Sequence, residues 1–340
     1  MVHRFALLMA AFVFSASVAP SSSASDVRPA DLAYAHRSAL LIKAHKPTAS
    51  MLRRFCGLEQ EALLSSYKMD WFVQYYQPDR QSEVLPFRTW CNGSLPVRTL
   101  RRSHLLSLFG ERTGEVLHRK RFQLGSVHEL AFHALHSRSL AYEWLWVIEQ
   151  DVLWQGNLFE VLATFATWKE DYLCRGPYAA TAEGPVGRPR SRENTFFGWH
   201  SGWAESLSTH LKCFIFVARY SRRMLDVLVE EYLKEGHWAQ GEWFASTVCA
   251  YQQELKPSGR MRNCTVGDYM SEEYLFSRTC FDWRRKPRGM CPYLETPEGI
   301  VGVPTPWRHE LNGTGQLFHP VRASCPRMLP LGLRLCSNSN

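Results

Sequence analysis

Residues 142–157 read Tyr-Glu-Trp-Leu-Trp-Val-Ile-Glu-Gln-Asp-Val-Leu-Trp-Gln-Gly-Asn. An apolar, aromatic-rich run from Trp144 to Ile148 stops at two acids separated by one residue, Glu149 and Asp151. A turn follows at Gly156-Asn157. A run of this length and composition, bounded by turn residues, predicts a buried strand. A buried strand ending in carboxylates delivers them to the edge of a sheet, which in open α/β sheets is where ligands bind. Two hard oxygen donors there suit Mg²⁺ or Mn²⁺, and a cation so placed can hold a diphosphate. The plainer reading is that acids end strands because loops are solvated, so the pair has to be read with its context.

Outward from this stretch, helix and strand alternate. Val127 to Tyr142 has apolar residues at helical spacing (Leu130, Ala131, Ala134, Leu135, Leu140) and leads into the strand. Residues 158–165 predict a helix after the turn, and 171–174 a short strand. Residues 176–195, rich in Gly, Pro and Arg, predict a long loop. Lys212 to Arg219 (Lys-Cys-Phe-Ile-Phe-Val-Ala-Arg) predicts a central strand. Ser221 is placed to cap a helix over 222–233, which ends before Gly236. A further helix is expected over 242–251. Upstream, Asp70 to Gln77 is aromatic and β-branched enough for a buried strand, and residues 92–97 predict a loop. From 256 on the chain is rich in Pro, Gly and Cys and predicts irregular structure. The alternation argues for an α/β fold with a mixed, mostly parallel sheet flanked by helices.

The chain has 340 residues, with 45% hydrophobic and 13% aromatic content, enough for a large core. Arg4 followed by the apolar run Phe5–Ala19 and the small residues 20–25 has the layout of a signal peptide cleaved after Ala24. The run is short for a membrane span, which takes about 20 apolar residues, although an uncleaved signal anchor is an open alternative. Residues 25–64 predict a stem or N-terminal region, 65–322 a catalytic domain, and 323–340 a tail. The ten cysteines are expected to pair in an oxidising compartment, with connectivity left open. Without a Cys-x-x-Cys pair, a zinc site is disfavoured. Sequons at Asn92, Asn263 and Asn312 mark N-glycosylation sites on surface loops if the chain is lumenal. These features point to the secretory pathway, in the ER or Golgi lumen or secreted.

The net charge is +8. Much of the excess lies at Arg98, Arg101, Arg102, Arg112, Arg119, Lys120 and Arg121, read as a solvated basic face. No nucleic-acid motif accompanies it. His128, Glu129, His133 and His136 have the wrong spacing for a zinc protease, since His133 follows His128 by five residues rather than four. They are read as helix-surface residues. No Gly-x-Ser-x-Gly elbow, P-loop or dinucleotide fingerprint is present. Two further candidates remain. Glu242, in Gly236-His-Trp-Ala-Gln-Gly-Glu-Trp-Phe244, follows a Gly-containing turn and is flanked by tryptophans. It is a candidate general base in a partly desolvated cleft. His319, in Leu317-Phe-His-Pro320, sits in a constrained extended segment where neutral imidazole can complete a metal site. An ordinary first-turn Glu and a packed His are the plainer readings.

Several of these segments stand in a telling order. An apolar strand runs into Glu149-Gln150-Asp151; then come a Gly turn and a helix, Cys213-Phe-Ile-Phe-Val-Ala-Arg-Tyr-Ser221 with a helix, Gly241-Glu-Trp-Phe-Ala-Ser-Thr-Val-Cys249, and Leu317-Phe-His-Pro-Val-Arg322. This order resembles the GT-A class of nucleotide-sugar glycosyltransferases over residues 65–322, in particular eukaryotic members known only as glycosyltransferase-like. The resemblance implies a GT-A-like (Rossmann-like) fold. It also implies a divalent cation (Mn²⁺ or Mg²⁺), a nucleotide-sugar donor and a hydroxyl acceptor on a glycan, protein or lipid. The family's acid-x-acid motif falls on Glu149 to Asp151, the last acid on the metal and the first on ribose or metal-bound water. Its acceptor-side or catalytic acid falls on Glu242 and its late metal-ligating His on His319. Glu in the first position departs from the common motif, whereas Gln in the middle is tolerated. The rival expectation is a non-catalytic lumenal or secreted carbohydrate-binding protein with the same fold.

Overall fold

The computed structural model describes residues 37–45, 47, 49–77, 90–154, 156–181, 184–185, 201–204, 207, 209–255, 260–261, 263–268, 293–296, 299–301, 317–318 and 321–323. The strands of the main sheet are β1 (Ser38–Ala44), β2 (Asp70–Tyr76), β3 (Val97–Leu100), β4 (Trp144–Glu149), β6 (Tyr172–Thr181), β7 (Gly184–Pro185), β8 (Thr209–Ser221) and β9 (Val266–Asp268). β5 (Leu153–Trp154) lies just past β4 and outside this sheet. The helices are α1 (Ala49–Leu64), α2 (Arg102–Leu124), α3 (Val127–His136), α4 (Leu158–Ala163), α5 (Arg222–Val227, continued as a π-type turn over Leu228–Leu233), α6 (Gly241–Ala250) and α7 (Gln252–Leu255).

The sheet runs β3-β2-β1-β4-β8-β6-β7, with β9 also paired to β6. The pairs β3–β2, β2–β1, β1–β4 and β6–β9 are parallel, and β8 enters antiparallel to both neighbours. This is the mixed, mostly parallel α/β sheet expected from the alternation. Period-two alternation sorts the strand residues between two cores. Ala39, Leu41, Leu145, Val147, Tyr172 and Tyr220 pack with α2, α3, α5 and α6. Leu40, Ile42, Trp146, Ile148 and Leu173 pack with α1 and α4 on the opposite face.

Several sequence boundaries land closely. Asn157 caps α4, its side-chain oxygen accepting from the Phe159 and Glu160 amides, and Ser221 caps α5 by accepting from Met224 N. Three readings change. Ser38–Ala44, assigned to a stem, is the strand between β2 and β4, and α1 covers one face of the sheet. The run Ala39-Leu-Leu-Ile42 is too short to stand out from its polar surroundings, and only its pairing on both sides makes it central. The long loop starts later than expected, because β6 continues to Thr181 against β8. His128 and His133 are not surface residues; both are buried, and His133 lies between Tyr142 and Asp226.

Disulfides join Cys56–Cys91, Cys174–Cys213 and Cys249–Cys264, and bonds of this kind persist in an oxidising compartment. Among the described residues no helix is long and apolar enough to cross a membrane. The cysteine-rich stretch beyond residue 268 lies largely outside the described residues; its short strands are β10 (Tyr293–Thr296), β11 (Gly299–Val301), β12 (Leu317–Phe318) and β13 (Val321–Ala323).

Candidate active site

The acid pair sits where the strand order reverses. From β1 the chain passes to β2 on one side, and β4 lies on the other. The parallel strands β1 and β4 therefore open a crevice at their carboxyl ends, the ligand position of open α/β sheets. Lys43 and Glu149 are register partners at those two ends.

A tight turn follows Glu149. Its carbonyl accepts from the Val152 amide at 3.1 Å, which leaves Gln150 and Asp151 as the two central turn residues. Gln150 is not a spacer. Its Oε1 accepts from the His45 amide at 2.9 Å and so ties the turn to the end of β1. The chain beyond is clamped to α1. Arg54 donates to the Val152 carbonyl, the Trp154 indole donates to Glu61 at 3.0 Å, and the Leu158 amide donates to the same carboxylate at 2.7 Å. The acid turn is thus fixed from both sides, while the Glu149 side chain is 32% exposed and open to a ligand.

Beneath the turn lies a buried polar cluster that sequence reading missed. The Lys43 side chain is only 6% exposed, and its ammonium donates to the Gly125 carbonyl at 3.1 Å. It lies 3.5 Å from Glu149 Oε1 and 3.8 Å from Glu129 Oε2. Burial pulls the Lys43 pKa down, but Glu129, Glu149 and Asp151 more than offset it, so the ammonium is held above its ordinary value and stays charged. Glu129 is fully buried and accepts from the Tyr220 hydroxyl at 3.1 Å. Burial, reinforced by the charge of Glu149, outweighs Lys43 and raises its carboxyl. The sequence signal for Lys43 was a lone charge closing an apolar run, the same pattern that marked Glu149.

Glu242 lies on the same face of the sheet. It opens α6, whose start packs on the turn between α2 and α3: a Cβ at Gly241 would lie 2.5 Å from the Leu124 carbonyl oxygen and 2.8 Å from the Ser126 nitrogen. That turn is the one whose Gly125 carbonyl Lys43 holds. Glu149 and Glu242 are therefore joined through Lys43, Gly125 and Gly241. The Glu242 carboxylate is 29% exposed and ion-paired to Lys212 at 2.7 Å. Of the two tryptophans near it, Trp243 is buried among Trp203 and His210, and Trp238 lies under the Lys120 ammonium.

His319 and Asn312 lie outside the described residues. The two residues before His319 are described: they form β12 and pair antiparallel with β5, Phe318 opposite Leu153 and Leu317 opposite Trp154. Leu153 is two positions beyond Asp151. Among the described residues, no three of His, Cys, Asp and Glu form a metal centre. Asn92 lies in a one-turn 3₁₀ helix over Trp90–Gly93, and Asn263 is exposed in a left-handed turn with φ of 61°. A separate groove of about 720 Å³, lined by Glu59, Lys68, Asp70, Trp71 and Pro96, opens at the amino ends of β2 and β3, away from the acid pair.

No protein-family model and no curated protein sequence matches the chain. Among solved structures, it is similar to core-mannan synthase A from Aspergillus fumigatus in its Mn/GDP form, at 15% identity and a TM-score of 0.29, over 58% of this chain and 62% of that one. The match thus spans less than two thirds of the mannan synthase chain. A second similar structure is a Bacillus anthracis protein assigned as a glucose-1-phosphate thymidylyltransferase, in complex with sucrose, at 9% identity and a TM-score of 0.31. That match covers 68% of this chain and 86% of the other.

Proposed function

We propose that the protein is a metal-dependent glycosyltransferase of GT-A type, acting in the secretory pathway on a nucleotide-diphosphate sugar and a hydroxyl acceptor. The observation that carries this reading is the position of Glu149 and Asp151. They stand at the carboxyl end of β4, beside β1, where the strand order reverses. The donor set fits a hard divalent cation: two carboxylates on a turn held rigidly from both sides. Asp151 would hold Mn²⁺ or Mg²⁺ directly, with Glu149 in support on ribose or a metal-bound water. The return of β12 to β5 supports His319 as a further ligand, since it follows Phe318 in the chain.

When bound, the cation supplies charge neutralisation to the nucleoside diphosphate as it leaves. The residues themselves position and select. Lys43 keeps Glu149 on its own side of the crevice. Glu242, which contacts Lys212 at 2.7 Å, would act on the acceptor side, as the general base or as an acid that binds the acceptor hydroxyl. Residues 1–24 act as signal or anchor in this reading, with a glycan on exposed Asn263.

Purified protein incubated with Mn²⁺ and a panel of nucleotide sugars tests the proposal. Nucleoside diphosphate release that requires Mn²⁺ and stops with EDTA is the expected result. Neither turnover nor sugar-nucleotide binding would leave the non-catalytic carbohydrate-binding reading standing instead.

A further inference from the structure

We propose that Lys43 is a positioning residue for both carboxylates of the candidate site: one buried ammonium fixes Glu149 and, through Gly125, the helix that carries Glu242. The inference rests on the metal–diphosphate reading of Glu149 and Asp151.

An ammonium has three donors and no acceptor. Lys43 meets three separate elements: it donates to the Gly125 carbonyl in the turn after α2, and it is ion-paired with Glu149 at the end of β4 (3.5 Å) and, at the longer 3.8 Å, with Glu129 on α3. Its burial leaves the protein groups, rather than bulk water, to satisfy it. A lysine stem is normally the most mobile part of a surface. Here it is threaded through the sheet edge on the side facing α3 and α6, by the same alternation that puts Leu41 and Val147 in that core. Each acceptor is itself fixed. Glu129 is held by Tyr220. Gly125 has φ of 64° and touches α6, where a Cβ built on it would meet Gly241 Cα at 3.7 Å. Glu149 is held by strand pairing and by the turn that its carbonyl closes.

Lys43 therefore acts on a bound cation only through Glu149, as the outer partner that orients a ligand-side carboxylate. Glu129 is the counter-charge that lets the ammonium be buried. It is shut off from solvent and so has no place in ligand binding itself. A cation-free site and a cation-loaded site place different charge beside Glu149, and Lys43 is the group that keeps its side chain from turning away in the first.

The test uses the full chain and reads Mn²⁺ binding, not activity. Free Mn²⁺ is followed by its paramagnetic resonance signal during titration with MnCl₂ in the presence of GDP or of UDP. Thermal melting is measured in parallel. Lys43→Met combined with Glu129→Gln removes both buried charges together, so that neither is left unpaired. The expected result is a melting point near that of the wild type and an Mn²⁺ dissociation constant raised about 10- to 100-fold, the usual effect of losing an outer-shell partner. A lowered melting point with unchanged Mn²⁺ affinity makes the pair structural only and overturns the inference. If the double variant does not fold, Lys43→Arg decides. It keeps the charge but alters the reach, so weakened Mn²⁺ binding supports positioning and unchanged binding overturns it. Wild-type protein that binds Mn²⁺ with neither nucleotide overturns the metal–diphosphate reading, and the inference with it. Wild-type binding that the variants match overturns the inference alone.

Discussion

Gly241 and Leu124 approach so closely that a Cβ on Gly241 would lie 2.5 Å from the Leu124 carbonyl oxygen. The obstacle is backbone, and the Ser126 nitrogen at 2.8 Å closes the other side. This contact seats α6, and with it Glu242, on the turn that Lys43 holds. Gly241→Ala must push α6 away. Overpacking of this kind costs about 1–3 kcal/mol, read as a lower denaturation midpoint in urea. Sugar-nucleotide turnover in the presence of acceptor should fall further than donor hydrolysis alone, since Glu242 moves and the acid turn does not.

Asp151 is a half-buried central residue of the Glu149–Val152 turn. Asp151→Asn is isosteric and leaves no cavity, so the fold should lose about 1 kcal/mol or less, read as the thermal midpoint. Loss of a ligand charge aimed at the leaving diphosphate should lower Mn²⁺-dependent turnover by about 100-fold or more. A variant that retains wild-type turnover would remove Asp151 from the site.

His133, one helical turn from Glu129 on α3, gives a pH signature of its own. Burial lowers its pKa below the ordinary 6.5, overriding the nearby Asp226 carboxylate. The neutral ring fits its partners: Nε2–H donates to Asp226 at 2.8 Å, and Nδ1 accepts from the Tyr142 hydroxyl at 2.7 Å. The unfolded chain therefore takes up this proton at a higher pH than the folded one. Linkage then requires stability to fall as pH drops below about 6.5 towards the folded pKa, and to be flat above it. Urea denaturation from pH 5 to 8 on wild type and His133→Gln checks this. The difference between the two curves should slope below about pH 6.5 and level off above it.

The Cys174–Cys213 bond cross-links β6 to β8 in the middle of the sheet. Replacing both cysteines by serine should cost about 2–4 kcal/mol, from the loop it closes. Reduction of the wild type with dithiothreitol, which also opens Cys56–Cys91 and Cys249–Cys264, should lower the melting temperature further. The acid turn lies on β4, outside this loop, so residual Mn²⁺ binding should persist below the melting point.

The parts of this fold that carry their own local signal were readable. β4 and β8 announce themselves as apolar runs, and α4 and α5 begin at Asn157 and Ser221 because those side chains cap their own helices. The acid pair was readable for the same reason: a strand end is local. β1 was not, since its short run sits among small polar residues and becomes a central strand only by pairing with β2 and β4. With β1 went Lys43. The buried state of Glu129, His128 and His133 was equally hidden, because helical spacing reports a face and not what later covers it.

The α/β alternation, the carboxylates at the end of β4 and the apolar faces that must be buried are written in the order of the residues. Those follow from periodicity and from the preferences of neighbouring residues. That Lys43, Gly125, Glu129 and Glu149 meet follows from long-range packing. Lys43 and Gly125 are 82 residues apart in the chain, and their contact depends on the register of two parallel strands and the seating of one turn. A buried ammonium finds its partners by where packing places them, and packing is a property of the whole core.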